Sequence, residues 1–164
     1  MVRMILVAAV ALLGAVAAFK SGAPDSEQVC RTMVPEHMAE IQPLSSFPYK
    51  VTVDPTSIRP GQSVTLKISG SDDNPIRGFL VQARVGGTPI GQFEAGPQVQ
   101  AIDCLQGAKN AATHSNGEKK PEVKLVWTAP KDLQESIKFR VTVVKKGDVY
   151  WVGYETRPIS VSAS

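Results

Sequence analysis

Histidine, cysteine, basic runs and long apolar runs are all scarce in this chain, and each scarcity removes a class of chemistry. Two histidines occur, His37 and His114. Neither stands in an H-x-x-x-H or H-E-x-x-H arrangement, so no zinc-hydrolase motif is present. The two cysteines, Cys30 and Cys104, form no C-x-x-C. The net charge is only +3 and no basic helix or long basic run accompanies it, which argues against nucleic-acid binding and leaves a mild preference for anionic surfaces. No glycine-rich phosphate loop precedes a helix, and Ser21-Gly22 and Ser69-Gly70-Ser71 make no nucleophile elbow. Asp72-Asp73-Asn74 lacks the carboxylate spacing of a calcium loop and reads as a solvated turn. Asn74 precedes Pro75, while Asn110 and Asn116 lack a hydroxyl residue two positions later, so no N-glycosylation sequon exists. Internal repeats and low-complexity segments are also missing. These gaps point away from an enzyme and call for no metal and no cofactor.

The N-terminus is where the chain is most explicit. Met1-Val2-Arg3-Met4 supplies a short positive start, and Ile5 to Ala18 is an almost unbroken apolar run. Val16-Ala17-Ala18 places small residues at −3 and −1 for a signal peptidase. The run is too short and wrongly flanked for a transmembrane helix, and no other stretch reaches that length. The expectation is a signal peptide over 1–18 and a secreted, extracellular domain over 19–164, without membrane insertion. Export also governs the cysteines. In an oxidising compartment Cys30 and Cys104 read most simply as a disulfide, against a metal pair or a catalytic thiol. Closing a loop of about 75 residues stabilises by roughly 4–5 kcal/mol as an upper figure.

From Phe19 to Pro48 the chain reads as an irregular arm, with Pro35, Pro43 and Pro48 breaking any helix. Strand patterns then dominate. Tyr49 to Val53 alternates, and Val64, Leu66 and Ile68 share one face. Arg59-Pro60-Gly61 suits a type II turn. Gly78 to Val85 is a denser run suited to a central strand. It puts Phe79, Val81 and Ala83 on one side and Leu80, Gln82 and Arg84 on the other, with Gln82 and Arg84 satisfying polar partners. Pro89 to Phe93 is a short return, and a further strand is expected within Ala95 to Leu105. Gln106 to Pro121 is the largest polar segment and reads as an exposed loop. Val123 to Trp127, Ile137 to Val144 and Val149 to Tyr154 follow, the last two joined by a turn at Lys145 to Asp148; Ile159 to Val161 extends the edge. Alternation on Val149 to Tyr154 places Tyr150 and Tyr154 on one face and Trp151 on the other. About seven or eight short strands punctuated by turns, without a convincing helix, describe an all-β, two-sheet antiparallel sandwich.

Several segments, in order, resemble the reeler domain found at the N-terminus of reelin and F-spondin. They are Cys30-Arg31-Thr32-Met33-Val34-Pro35-Glu36-His37, Phe47-Pro48-Tyr49, Arg59-Pro60-Gly61-Gln62 and Arg77 through Arg84, then Ile90-Gly91-Gln92-Phe93, Cys104, Thr113-His114-Ser115, Trp127-Thr128-Ala129-Pro130 and Tyr150-Trp151. Together they span nearly the whole mature chain. The resemblance implies an immunoglobulin-like sandwich. It also implies a stand-alone secreted domain like the short insect defence proteins, including the nodulation-mediating kind. Its implied partners are microbial cell-wall polysaccharides and amphiphiles, namely lipopolysaccharide, lipoteichoic acid and β-glucan, and the haemocyte surface. Antibacterial or antifungal action follows from the same analogy. The alternative it carries, through the spondin side of the family, is a matrix module that binds glycosaminoglycans.

Candidate binding residues are the basic side chains of the loops. Lys119 and Lys120 lie in the long polar segment, Lys145 and Lys146 in the hairpin turn, and Arg77 beside a loop, with His114 nearby in sequence to Lys119. Gathered at one end of a sandwich they would form a patch suited to phosphate or sulfate groups. Scattered, they would be an ordinary solvated surface.

Overall fold

The structure is a computed structural model that describes residues 21–36 and 39–163. The expected leader and His37 lie outside the described residues. Among the described residues the chain forms one short helix, α1 (Glu27–Thr32), a 3-10 turn at Leu44–Ser46 and twelve strands. The strands are β1 (Lys50–Asp54), β2 (Ser57–Ile58), β3 (Ser63–Ser69), β4 (Gly78–Val85), β5 (Thr88–Pro89) and β6 (Gln92–Phe93), followed by β7 (Val99–Ile102), β8 (Ala111–His114), β9 (Glu122–Thr128), β10 (Lys138–Lys146), β11 (Val149–Glu155) and β12 (Ser160–Val161). One sheet runs β1-β3-β9-β6, and the other runs β11-β10-β4-β8-β7 with β5 beside β4. Both are antiparallel. A small parallel pair, β12-β2, closes one end. The architecture is the two-sheet antiparallel sandwich expected from the strand pattern, of the immunoglobulin-like kind that the resemblance implies.

The inner faces interlock around Leu66, Phe79, Val81, Leu125, Trp127, Phe139 and Val141, all buried. Trp127 fills the centre, with its indole N–H donating to the Ile90 carbonyl at 2.9 Å and its ring edge-on to Phe139. Gly91 makes this possible. It holds φ 70°, and a Cβ there would lie 2.3 Å from Trp127 Nε1. A second, smaller cluster lies outside the six-stranded sheet. Val29, Cys30 and Met33 of the arm cover Leu80, Cys104 and Ala111. Thus β4 is buried from Gly78 to Ala83 because both of its faces are covered.

Three sequence expectations fail, each for a local reason. The arm is not wholly irregular: Ser26 caps α1, its Oγ accepting from the Val29 N–H at 3.3 Å, and Met33 ends it at φ 59° with its N–H on the Val29 carbonyl. Six residues cannot sustain a helix alone; burial of Val29 and Cys30 and the Cys30–Cys104 disulfide hold it in place. The segment Gln106 to Pro121 is not all exposed loop, because β8 within it is buried along its whole length between β4 and β7. Finally, Tyr150 and Tyr154 do not share a face. Gly153, at φ 75°, accompanies a break in the β10–β11 register, and the shift returns Tyr154 to the side of Trp151, where both rings meet Phe47.

Candidate functional site

The outer face of the six-stranded sheet changes character along its length. In the β4–β10 register Arg84 lies opposite Lys138 and Gln82 opposite Arg140, then Leu80 opposite Thr142 and Gly78 opposite Val144. One end is therefore basic and the other apolar. The arm crosses the middle and leaves the apolar end open beneath its own edge. The result is a cleft of about 640 Å³, floored by Leu80, Thr142 and Val144 and walled by Val29 and Met33 of the arm. That volume falls in the usual range for small-molecule sites.

The arm is held over the sheet by polar ties as well as by the disulfide. Gln82 Nε2 donates to the Cys30 carbonyl at 3.0 Å. Arg84 Nη2 donates to the carbonyls of Cys30 and Arg31 at 2.9 and 3.0 Å, and its Nε donates to Gln82 Oε1. Thr142 Oγ1 donates to the Met33 carbonyl at 2.9 Å. These donors satisfy carbonyls at the C-terminal end of α1 that the helix itself leaves unpaired. On the other partner of the disulfide, buried Asn110 accepts from the Cys104 N–H at 2.7 Å and returns a bond to the Cys104 carbonyl.

Of the basic candidates, Arg77 and Lys146 line the cleft, and so does His114. They are accompanied by Glu36 and Glu118, so the mouth carries both signs of charge. Lys146 also pairs with Asp148 at 3.3 Å. The His114 ring accepts the Phe79 N–H at Nδ1, 3.2 Å away, which in the neutral ring leaves the proton on Nε2. Lys119 is exposed on the adjoining loop and does not line the cleft. Lys145 is half-buried and donates to Asn74 Oδ1 at 3.1 Å. Lys120 is only 1 % exposed. Its ammonium donates to the carbonyls of Asn116 and Glu118 at 2.7 and 2.8 Å, so it folds the loop over itself instead of presenting a charge. Burial lowers its pKa from the ordinary lysine value, with Glu118 opposing that shift and Arg77 adding to it.

The Reeler domain family model matches residues 28–164. The chain belongs to the reeler-domain family. It is 36% identical over 163 residues to Defense protein l(2)34Fc of Drosophila melanogaster, covering 96% of this chain and 98% of that one. Ferric-chelate reductase 1 of Mus musculus is 34% identical over 137 residues, which is 80% of this chain but only 22% of the reductase. The crystal structure of the human F-spondin reeler domain superposes with a TM-score of 0.56 at 18% identity, covering 70% of this chain and 88% of that one. The likeness to F-spondin is one of fold.

For a reeler domain of this chain's sequence, the apolar walls of the cleft were the part hidden from sequence reading. Val29 and Met33 look like incidental apolar residues in a proline-broken arm. Their role follows only from the arm doubling back across β4 and β10, a long-range event that local pattern does not record. Among the described residues no group of three or more His, Cys, Asp or Glu could hold a metal ion, and no helix is long and apolar enough to cross a membrane.

Proposed function

We propose that this reeler domain acts as a secreted, non-catalytic defence protein that binds microbial surface amphiphiles through the cleft between its arm and the six-stranded sheet. The observation that carries this reading is the cleft itself: some 640 Å³, with Val29, Met33, Leu80 and Val144 offering an apolar interior. An acyl chain buried there gains about 0.8 kcal/mol per methylene. Arg77 and Lys146 stand at the mouth, where the phosphate of a lipopolysaccharide or lipoteichoic acid would emerge. Glu36 and Glu118 at the same mouth make the chain, not the charge, the main source of affinity. Neutral β-glucan, which has no acyl chain, suits this site less well. The strong likeness to an insect protein named for defence supports the biological setting.

The test is displacement of a fluorescent acyl probe from the secreted protein by lipopolysaccharide, lipoteichoic acid and β-glucan, with heparin as the matrix-type rival. Both amphiphiles should displace the probe at physiological salt, and heparin and glucan should not. Val144→Glu puts a carboxylate into the apolar floor and should weaken probe binding by about tenfold or more. A protein that takes up no probe, or binds heparin alone and loses it with salt, returns the assignment to a glycosaminoglycan module.

A further inference from the structure

The opposite end of the same sheet face carries a second feature, independent of the cleft. Here β4 and β10 set Arg84 directly opposite Lys138, with Arg140 two residues along β10. Like charges directly opposed on antiparallel strands destabilise a sheet. One carboxylate offsets them: Glu155 of β11 meets Lys138 Nζ at 3.3 Å and Arg140 Nη1 at 3.5 Å. These groups, with Ser136, border a cavity of about 270 Å³. Three cations against one carboxylate leave a net charge of +2 around it.

The donors there are only partly used. Arg84 spends Nε and Nη2 on Gln82 and the arm carbonyls, and its Nη1 has no hydrogen bond to any described residue. Arg140 Nε is buried and has no hydrogen-bond partner among the described residues. Burial pushes the Arg84 guanidinium below its ordinary value; Arg140 adds to that shift and Glu155 opposes it. Lys138 and Glu155 remain about half exposed, with side chains 50% and 44% accessible, so the cavity is open to a solute.

We infer that this cavity binds a phosphate monoester, held by Arg84, Lys138 and Arg140. A monoester carries a charge of about −1.5 to −2 at neutral pH and three acceptor oxygens, which complements the surplus charge and the unused Arg84 Nη1, while Arg140, its Nε closed to solutes, contributes chiefly its charge. A sulfate ester carries a single charge and matches less well. The cavity is smaller than the roughly 300–1,000 Å³ of sites that enclose drug-sized ligands, so the phosphate group itself is what it recognises.

The experiment is an NMR titration of the secreted protein with phenyl phosphate, and separately with phenyl sulfate, following the Arg84 and Arg140 side-chain N–H resonances. Phenyl phosphate should shift both saturably and bind several-fold more tightly than phenyl sulfate. Lys138→Glu cancels the surplus charge at an exposed position and should weaken phosphate binding about tenfold or more. Lys138→Gln serves as the milder replacement if the first variant melts early. A parallel arm uses phosphatidylcholine vesicles containing phosphatidic acid: shifts with vesicles as well support a lipid-borne monoester, and shifts with the soluble probe alone support a free one. Unmoved arginine resonances, affinity unchanged in both Lys138 variants, or sulfate binding as tightly as phosphate would overturn the assignment. Probe displacement from the cleft should be unaffected by either variant, so the two sites succeed or fail separately.

Discussion

Gln82 shows how one side chain can join two parts of a fold. It is fully buried on the outer face of β4, where an apolar residue would be the ordinary choice. Its amide N–H reaches the Cys30 carbonyl while its oxygen receives Arg84 Nε, so both ends of the group are used. Leucine is close in size but can do neither. Gln82→Leu should therefore lower stability by about 1–3 kcal/mol, the usual cost of leaving buried partners unpaired, measured as a shift in the urea midpoint. An unchanged midpoint would mean that water replaces the amide and that the ties to the arm are energetically idle. Sequence alternation alone assigns Gln82 and Arg84 to the face opposite Phe79, Val81 and Ala83, and it predicts that they meet polar partners. Which partners they meet is not legible, because the carbonyls of Cys30 and Arg31 lie about fifty residues away in sequence. Lys120 gives the converse lesson. A lysine in a polar segment reads as a solvent-exposed charge, yet its burial follows from loop carbonyls that converge on it only once the loop is formed.

At the level of elements, what the sequence discloses follows the strength of its two-residue period. β3, β9 and β10 alternate apolar and polar residues and occur where the pattern places them. β8 escapes because Ala111-Ala112-Thr113-His114 offers neither alternation nor bulk. Its small side chains are what a strand needs when it is covered on both faces: Ala111 meets the arm cluster and Ala112 the inter-sheet core. Ala112→Leu should thus be poorly tolerated although leucine is the more hydrophobic residue. Overpacking between the sheets should cost about 1–3 kcal/mol, seen as a lower melting temperature with unchanged strand content. A neutral or raised melting temperature would show that a void beside β8 takes the larger side chain. The misassigned face of Tyr154 has a different origin. Alternation is counted along the chain, and the register break near Gly153 interrupts the count without leaving a mark in the hydrophobic pattern.

For the whole molecule, the division that matters is between the sandwich and the arm laid over it. The core between the sheets includes no residue of 21–36, whereas the apolar wall of the cleft, Val29 and Met33, comes from the arm. Cys30–Cys104, separated by 74 residues, fastens that arm. A Cys30→Ser, Cys104→Ser double variant should lose up to about 4–5 kcal/mol by the chain-entropy estimate. It should also release the acyl probe while keeping the far-ultraviolet signature of the strands, measured by denaturant titration and probe fluorescence together. Probe uptake equal to that of the parent would mean that Gln82, Arg84 and Thr142 secure the arm by themselves. The position of the arm also bears on how the protein should be handled. Gly22, Ala23 and Pro24 belong to the lining of the cleft. If the leader is removed near Ala18 as the sequence leads one to expect, only about 10 Å of extended chain would separate the new N-terminus from Gly22 and the cleft. An affinity tag fused there, or extra residues left by displaced leader processing, would compete for the opening as a tethered plug. Preparations that differ only at their first few residues should then differ in ligand capacity, and a tag at the C-terminus is the arrangement that leaves the entrance clear.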